Sequence, residues 1–593
     1  MAPAITAKYD WILAITTIAF LFSAFGNGAN DVANSYATSV AAQTLTMVQV
    51  GFLSMVTEFV GAVALGARVT DTIKNGIINI ERFQPPAQPG TLMLAMGCAE
   101  VGSAAWLMFA TRAGMPVSTT QTIVGALVGV GFATNAGVTW GWESGSVSQV
   151  AASWVIAPLI ACAFSAIIFG TVKYAVLERE DSFKWGMRLI PWYFAATGAI
   201  LALFIVVETP TAPSLEEFGA GKAAGIILGV FGGVLAFSYV LFMPYLKRKL
   251  IQKDARLRIW HIPLGPLLLR EDPPLYFAGK ADGDYVKNYY ADAYGEVRAQ
   301  GQELRQRNAI EDVEKQPQGV DDIQKRSSGS SQDDLPTNPA KARELEENIK
   351  KDPDAVPQLS KRKKHLEPYE RFIGPTKNLS WANPKKFWGY FKFGLLQGVT
   401  RDVITHDSDK LRDIHARANR YDVRVEHMWT YCQVISAMMM SIAHGSNDVA
   451  NAVGPWSAVF QTYQDGAIAT ESGTPIWMLV VAGLLLGLGF WFYGYHIMRA
   501  LGNKITQMSP TRGFATELGA AITVLLASRL GLPVSTTQCL TGALIGTALM
   551  NYDLKAVNWA QLGFIFMGWV VTLPASGLIA GLLCVMALNT PHF

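Results

Sequence analysis

Apolar runs recur along this chain near residues 10–27, 45–67, 91–112, 119–134, 148–172, 187–207, 221–246, 428–444, 476–500, 513–530, 536–550 and 560–588. A helix rises about 1.5 Å per residue and a bilayer core is about 30 Å thick, so most of these runs are long enough to cross one. The runs at 119–134 and 536–550 reach only about 24 Å and 22 Å at that rise. Each follows a Pro-Val-Ser-Thr-Thr break and reads as half of a re-entrant hairpin. Broken backbone survives in lipid only where protein or a wet cavity satisfies it. The expected fold is an all-α polytopic membrane protein of about 12 segments, with broken or re-entrant helices.

Composition agrees. Half of the 593 residues are hydrophobic, only 16% are charged, and mean hydropathy is +0.23. A net charge of +3 is too small to suggest a nucleic-acid partner. The five cysteines lie in apolar runs without metal-ligand spacing, so neither a disulfide framework nor a zinc site is indicated. The N-terminus lacks a signal-peptide pattern, so the first run is expected to be retained.

Three regions follow. Residues 1–246 form an N-terminal membrane half, with a repeat core near 10–135. Residues 247–426 form a polar loop, and 427–593 a C-terminal membrane half. Within the loop, 301–358 has the composition of a disordered linker. Basic residues at both loop ends, Lys247-Arg248-Lys249 and Lys361-Arg362-Lys363-Lys364, mark the cytoplasmic side. Seven runs precede the loop and five follow, which puts both termini outside. Arg68, Lys74 and Arg82 then fall outside as well, against the rule.

The chain also repeats itself. Gly-Ala-Asn-Asp-Val-Ala-Asn at 28–34 returns as Gly-Ser-Asn-Asp-Val-Ala-Asn at 445–451, an offset of 417 (447 less 30). Pro-Val-Ser-Thr-Thr-Gln at 116–121 returns at 533–538, and Glu100 returns as Glu517, at the same offset. Seven runs separate the two Asn-Asp motifs, and an odd number of crossings inverts the second copy. Two inverted-topology repeats, with sites between them near the midplane, are characteristic of secondary transporters.

The polar residues inside these runs suggest the chemistry. Asp31, Asp448, Glu58, Glu100 and Glu517 are acids in apolar surroundings, each costing at least about 2.5–3.5 kcal/mol if ionised at bilayer depth. With Asn30 and Asn447 around glycine-interrupted, unwound backbone, they suit a hard cation such as sodium. Glu58 has no repeat partner, since position 475 is proline, and is held as a coupling candidate. Ser118, Thr119, Thr120, Ser535, Thr536 and Thr537 open short helices, where they act as caps or offer donors to an anion, with Asn34 and Asn451 nearby.

These motifs resemble the inorganic phosphate transporter family, including the sodium–phosphate symporters. The likeness rests on Gly-Ala-Asn-Asp-Val-Ala-Asn-Ser at 28–35, His-Gly-Ser-Asn-Asp-Val-Ala-Asn-Ala at 444–452, both Pro-Val-Ser-Thr-Thr segments, and Glu-Phe-Val-Gly-Ala-Val-Ala-Leu-Gly-Ala at 58–67. It covers both membrane halves but not the loop, and the layout is most similar to fungal plasma-membrane members. The resemblance implies an inverted-repeat fold, phosphate as substrate, sodium as co-transported ion, and a homodimer. It also implies functional roles for Asp31, Glu58, Asp448, Glu517, Ser118 and Ser535. Gln121 and Gln538 stand where many relatives have histidine, which argues against proton sensing there.

The expected function is sodium-coupled phosphate symport by alternating access, without a cofactor. A proton-coupled symporter and a phosphate receptor or scaffold signalling through the loop are the alternatives. No P-loop, GxSxG or HExxH motif points to an enzyme.

Overall fold

The computed structural model describes residues 7–83, 89–142, 145–208, 219–281, 283–290, 366–404, 408–468 and 473–590. One compact unit comprises Met1–Tyr290 and Glu367–Phe593. A second, Ala291–Leu366, lies outside the described residues apart from Leu366, and so does the stretch 301–358 expected to be disordered.

Among the described residues the architecture is helical, with one isolated bridge between Ile78 and Val138. The first half contains α1 (Asp10–Ala41), α2 (Met47–Leu65), α3 (Ala67–Asn75), α4 (Pro89–Arg112), α5 (Thr119–Thr134), α6 (Val147–Leu177), α7 (Ser182–Glu208) and α8 (Ala220–Ile251). Two short helices follow, α9 (Pro384–Leu396) and α10 (Asp409–Ala416). The second half contains α11 (Val423–Asp465), α12 (Ile476–Tyr493), α13 (Tyr495–Leu501), α14 (Pro510–Arg529), α15 (Thr536–Leu549) and α16 (Trp559–Leu588).

Among the described residues eight helices, α1, α2, α4, α6, α7, α8, α12 and α16, are long and apolar enough to span a bilayer. The other four apolar runs lie in α5, α11, α14 and α15. They fall short because they are brief or carry polar side chains, many of which meet at the molecule's centre. Large apolar side chains such as Phe22, Phe52, Phe109, Leu159, Leu228, Phe566 and Leu582 are exposed on the outer faces, as lipid contact requires.

One expectation is corrected. The Asn-Asp motifs do not interrupt their helices: α1 and α11 run unbroken through 28–34 and 445–451. Their glycines serve close approach instead. A Cβ on Gly28 would lie 1.9 Å from the Leu486 carbonyl oxygen of α12, and one on Gly445 would lie 2.5 Å from that of Glu58 in α2. The helical ladder runs on through both motifs, save that Pro455 offers no N–H to the Asn451 carbonyl, so unwinding would cost hydrogen bonds. The chain breaks elsewhere, at 113–118 and 530–535, between α4 and α5 and between α14 and α15.

Packing partners exchange between the halves. Helix α1 packs on α12 and α4, while α11 packs on α2 and α14. Helix α5 packs on α16, and α15 packs on α6. The two short helices are therefore each held by a long helix of the opposite half.

Candidate functional site

The two breaks meet beside α1 and α11. Ser118 and Ser535 are the N-caps of α5 and α15, accepting the Gln121 and Gln538 N–H at 3.1 Å and 3.3 Å. A hydroxyl that accepts in this way still has its own hydrogen to donate. Just before each cap, the backbone is held by an asparagine. The Val117 N–H donates to Asn30 Oδ1 (3.2 Å) and the Val534 N–H to Asn447 Oδ1 (3.3 Å). The amide oxygens of Asn30 and Asn447, expected to face a cation, thus each accept one backbone N–H.

Threonines interlock the two starts. Thr120 donates to the Val534 carbonyl (3.0 Å) and Thr537 to the Val117 carbonyl (3.1 Å). Asn34 Nδ2 donates to Thr537 (2.8 Å), and Asn451 Nδ2 donates to Thr120 (3.2 Å) and Thr119 (3.0 Å). Each of these contacts, apart from that of Thr119, maps onto its mate when residues 417 apart are exchanged.

Asp31 and Asp448 close the centre. Thr119 Oγ1 lies 2.8 Å from Asp31 Oδ2 and 3.2 Å from Asp448 Oδ2. One hydroxyl has one hydrogen, so it cannot satisfy both. Thr536 reaches Asp448 Oδ2 at 3.1 Å and Thr537 reaches Asp31 Oδ1 at 3.1 Å. All these side chains are buried. Four amide oxygens, on Asn34, Asn451, Gln121 and Gln538, have no hydrogen-bond partner among the described residues. Buried acceptors beside two carboxylates, with too few donors, form an environment suited to cations.

His444 completes the cluster, and the sequence reading did not single it out. Its Nδ1 lies 2.6 Å from Glu58 Oε2 and its Nε2 lies 2.9 Å from Asp448 Oδ2. Ligand atoms of Asp31, His444 and Asp448 all fall within 4.8 Å of one another, as a metal site requires. The signal was present as spacing: His444 precedes Asp448 by four, one helical turn. Its counterpart in the first copy, at 417 residues' offset, is Asn27, whose Nδ2 donates to the Asp448 carbonyl (3.2 Å).

The remaining acids lie apart from one another. Glu58 also accepts from Ser441 (2.5 Å), next to the paired hydroxyls of Thr57 and Tyr36. Glu517 sits in a cradle of four donors: Thr38 (2.6 Å), Ser39 (2.6 Å), Ser436 (2.7 Å) and Gln433 (3.2 Å). Glu100 is buried on α4, and neither of its oxygens has a hydrogen-bond partner among the described residues.

Fold and site together define a multi-pass membrane protein with a polar, acid-lined centre. Residues 27–580 match the phosphate transporter family, and the chain belongs to that family. It is 39% identical to the phosphate-repressible phosphate permease pho-4 of Neurospora crassa, over 99% of each chain. It is 28% identical to the human sodium-dependent phosphate transporter 2, over 98% of each. A solved structure titled "The sodium-dependent phosphate transporter" shares the fold, with a TM-score of 0.60 and 23% identity, over 98% of this chain and 100% of that one. These relatives are transporters and not enzymes.

Proposed function

We propose that this protein is a sodium-coupled phosphate symporter of the plasma membrane that works by alternating access. The observation that carries the reading is the exchange-related lock between the two short-helix starts, which joins Asp31 and Asp448 with the unpartnered amide oxygens of Asn34 and Asn451. Sodium is assigned to Asp31, Asp448 and the oxygens of Asn34 and Asn451. Phosphate is assigned to the starts of α5 and α15, where Ser118, Thr119, Thr120, Ser535, Thr536 and Thr537 add hydroxyls to a positive dipole end. Phosphate alone would be repelled by the two carboxylates, so sodium binds first or with it. Glu517 and Glu58 are assigned to coupling, because each ties α11 to the opposite half, to α1 and α2 respectively.

The exchange of packing partners supports two inverted repeats, with one bundle moving against the other around this site. The basic loop flanks place the loop inside and both termini outside. The homodimer reading finds support on α8, where Gly221, Gly225 and Gly229 recur every fourth residue with open space beside them, as close helix association in a membrane requires. The test of coupling is radiolabelled phosphate uptake into proteoliposomes. An inward sodium gradient should drive accumulation, and equal uptake without one would refute it.

A further inference from the structure

Glu517 and Glu100 are counterparts at the 417-residue offset, yet their surroundings differ completely. Transposed by that offset, the four donors around Glu517 become Pro455, Trp456, Thr16 and Ala19. Proline and alanine offer no side-chain donor. The Trp456 Nε1–H is committed to Thr17 (3.1 Å) and the Thr16 hydroxyl to the Ile12 carbonyl (2.7 Å). Glu100 keeps the acid and loses the cradle.

A polar group beside it is Ser23 of α1, whose hydroxyl also has no partner within hydrogen-bonding geometry among the described residues. Titratable groups on the elements packed against α4 are Asp10, Asp31 and Tyr36 of α1; Arg424, Glu426, His427, Tyr431, Cys432, His444, Asp448, Tyr463 and Asp465 of α11; Cys584 of α16, which faces Cys98; Tyr495, His496 and Arg499 of α13; and Arg82. Helix α5 carries none. None of these hydrogen-bonds the Glu100 carboxyl.

An ionised carboxylate without donors or a counter-charge is among the costliest groups to bury. Sodium, as a hard cation, needs a shell of several oxygens, and Glu100 with Ser23 supplies too few. A proton needs one oxygen. From Ser23 a polar stripe runs along one face of α1 through Asn27 to Asn30 and Asp31, about 10 Å at about 1.5 Å per residue.

We propose that Glu100 is a proton-binding site, taking a proton from water onto a carboxylate oxygen, holding it there in a hydrogen bond to the Ser23 hydroxyl oxygen, and joined to the acidic centre by the stripe on α1. The protonated acid favours the packing of α1 on α4 described here. Loss of the proton to water at alkaline pH favours opening between α1 and α4. The link to transport rests on the symport reading, but the protonation does not.

Infrared spectroscopy of the full chain in lipid tests the site directly. The carbonyl stretch of a buried carboxylic acid should be present at neutral pH, lost in Glu100→Gln, retained in Asp10→Asn, and shifted in frequency by Ser23→Ala. A band unchanged in both Glu100→Gln and Ser23→Ala would overturn the proposal. So would loss of bound radioactive sodium in Glu100→Gln with no band lost. In proteoliposomes, uptake by the unmodified protein should decline more steeply towards alkaline pH than uptake by Glu100→Gln. Identical pH profiles would remove the link to transport. Absence of uptake by the unmodified protein would sink the symport reading while leaving the infrared result standing.

Discussion

At the scale of single residues, Thr119 has the most constrained position. Its hydroxyl stands between two buried carboxylates and also accepts from Asn451. Replacing it by valine removes the shared donor at nearly constant volume. Leaving a buried polar group unsatisfied costs about 1–3 kcal/mol, so Thr119→Val should weaken half-saturation of uptake by about 5- to 150-fold, while Thr119→Ser retains most of it. Equal kinetics for both variants would show the hydroxyl to be incidental. Asp31→Asn and Asp448→Asn should each lower sodium-dependent uptake, and an unchanged sodium dependence would remove them from the cation site. These acids were legible in the sequence because an ionisable residue inside an apolar run is rare. His444 was harder to see, because histidine in a membrane segment has many uses and its partner Glu58 is 386 residues away.

At the scale of helices, closeness of approach decides stability. Gly28→Ala should lower the melting temperature of detergent-solubilised protein, because the new Cβ meets backbone of α12 and not a side chain that can swing away. Gly563→Ala, on α16 with nothing within 4 Å, is the matched control and should be neutral or stabilising, since alanine is the better helix former by about 1 kcal/mol. Beyond α8, the segment following Ile251 is tied back by Asp254, which pairs with Arg256 (2.9 Å) and Arg248 (2.9 Å). Those guanidiniums, Arg256 foremost, hold the Asp254 carboxyl well below the usual carboxylate range. A lowered value means the contribution is fully present above about pH 4, the ordinary aspartate value, and fades as pH falls further. Proteolysis within 252–290 should therefore stay constant from neutral pH down to about pH 4 and rise below it. Asp254→Asn should raise it already at neutral pH.

At the scale of the whole molecule, the prediction concerns equivalence. If two inverted repeats share one site, substitutions related by the 417-residue exchange should act alike. Thr120→Val and Thr537→Val each break one of the mated contacts across the centre. Their effects on phosphate uptake should agree within about threefold, the usual spread for one interaction in two settings, and a much larger disparity would deny the equivalence. Glu100 and Glu517 are the deliberate exception, since their surroundings have diverged.

The sequence by itself determined that the chain is helical and membrane-borne, that its motifs recur at one offset, and which residues are candidates for its chemistry. Run length, hydropathy and a repeated motif are local or periodic properties, readable without coordinates. It also located the breaks before the Ser-Thr-Thr segments, because proline forbids helix there. Only the tertiary structure decided that the Asn-Asp motifs stay helical, since their glycines answer to backbone on α2 and α12 that is far away in the chain. Only it showed Asn30 and Asn447 each accepting a backbone N–H, His444 bridging two acids, and Glu100 without the donors that surround Glu517. Each of these depends on which groups meet across hundreds of residues, and hydrogen-bond satisfaction is a property of that meeting and not of the residue.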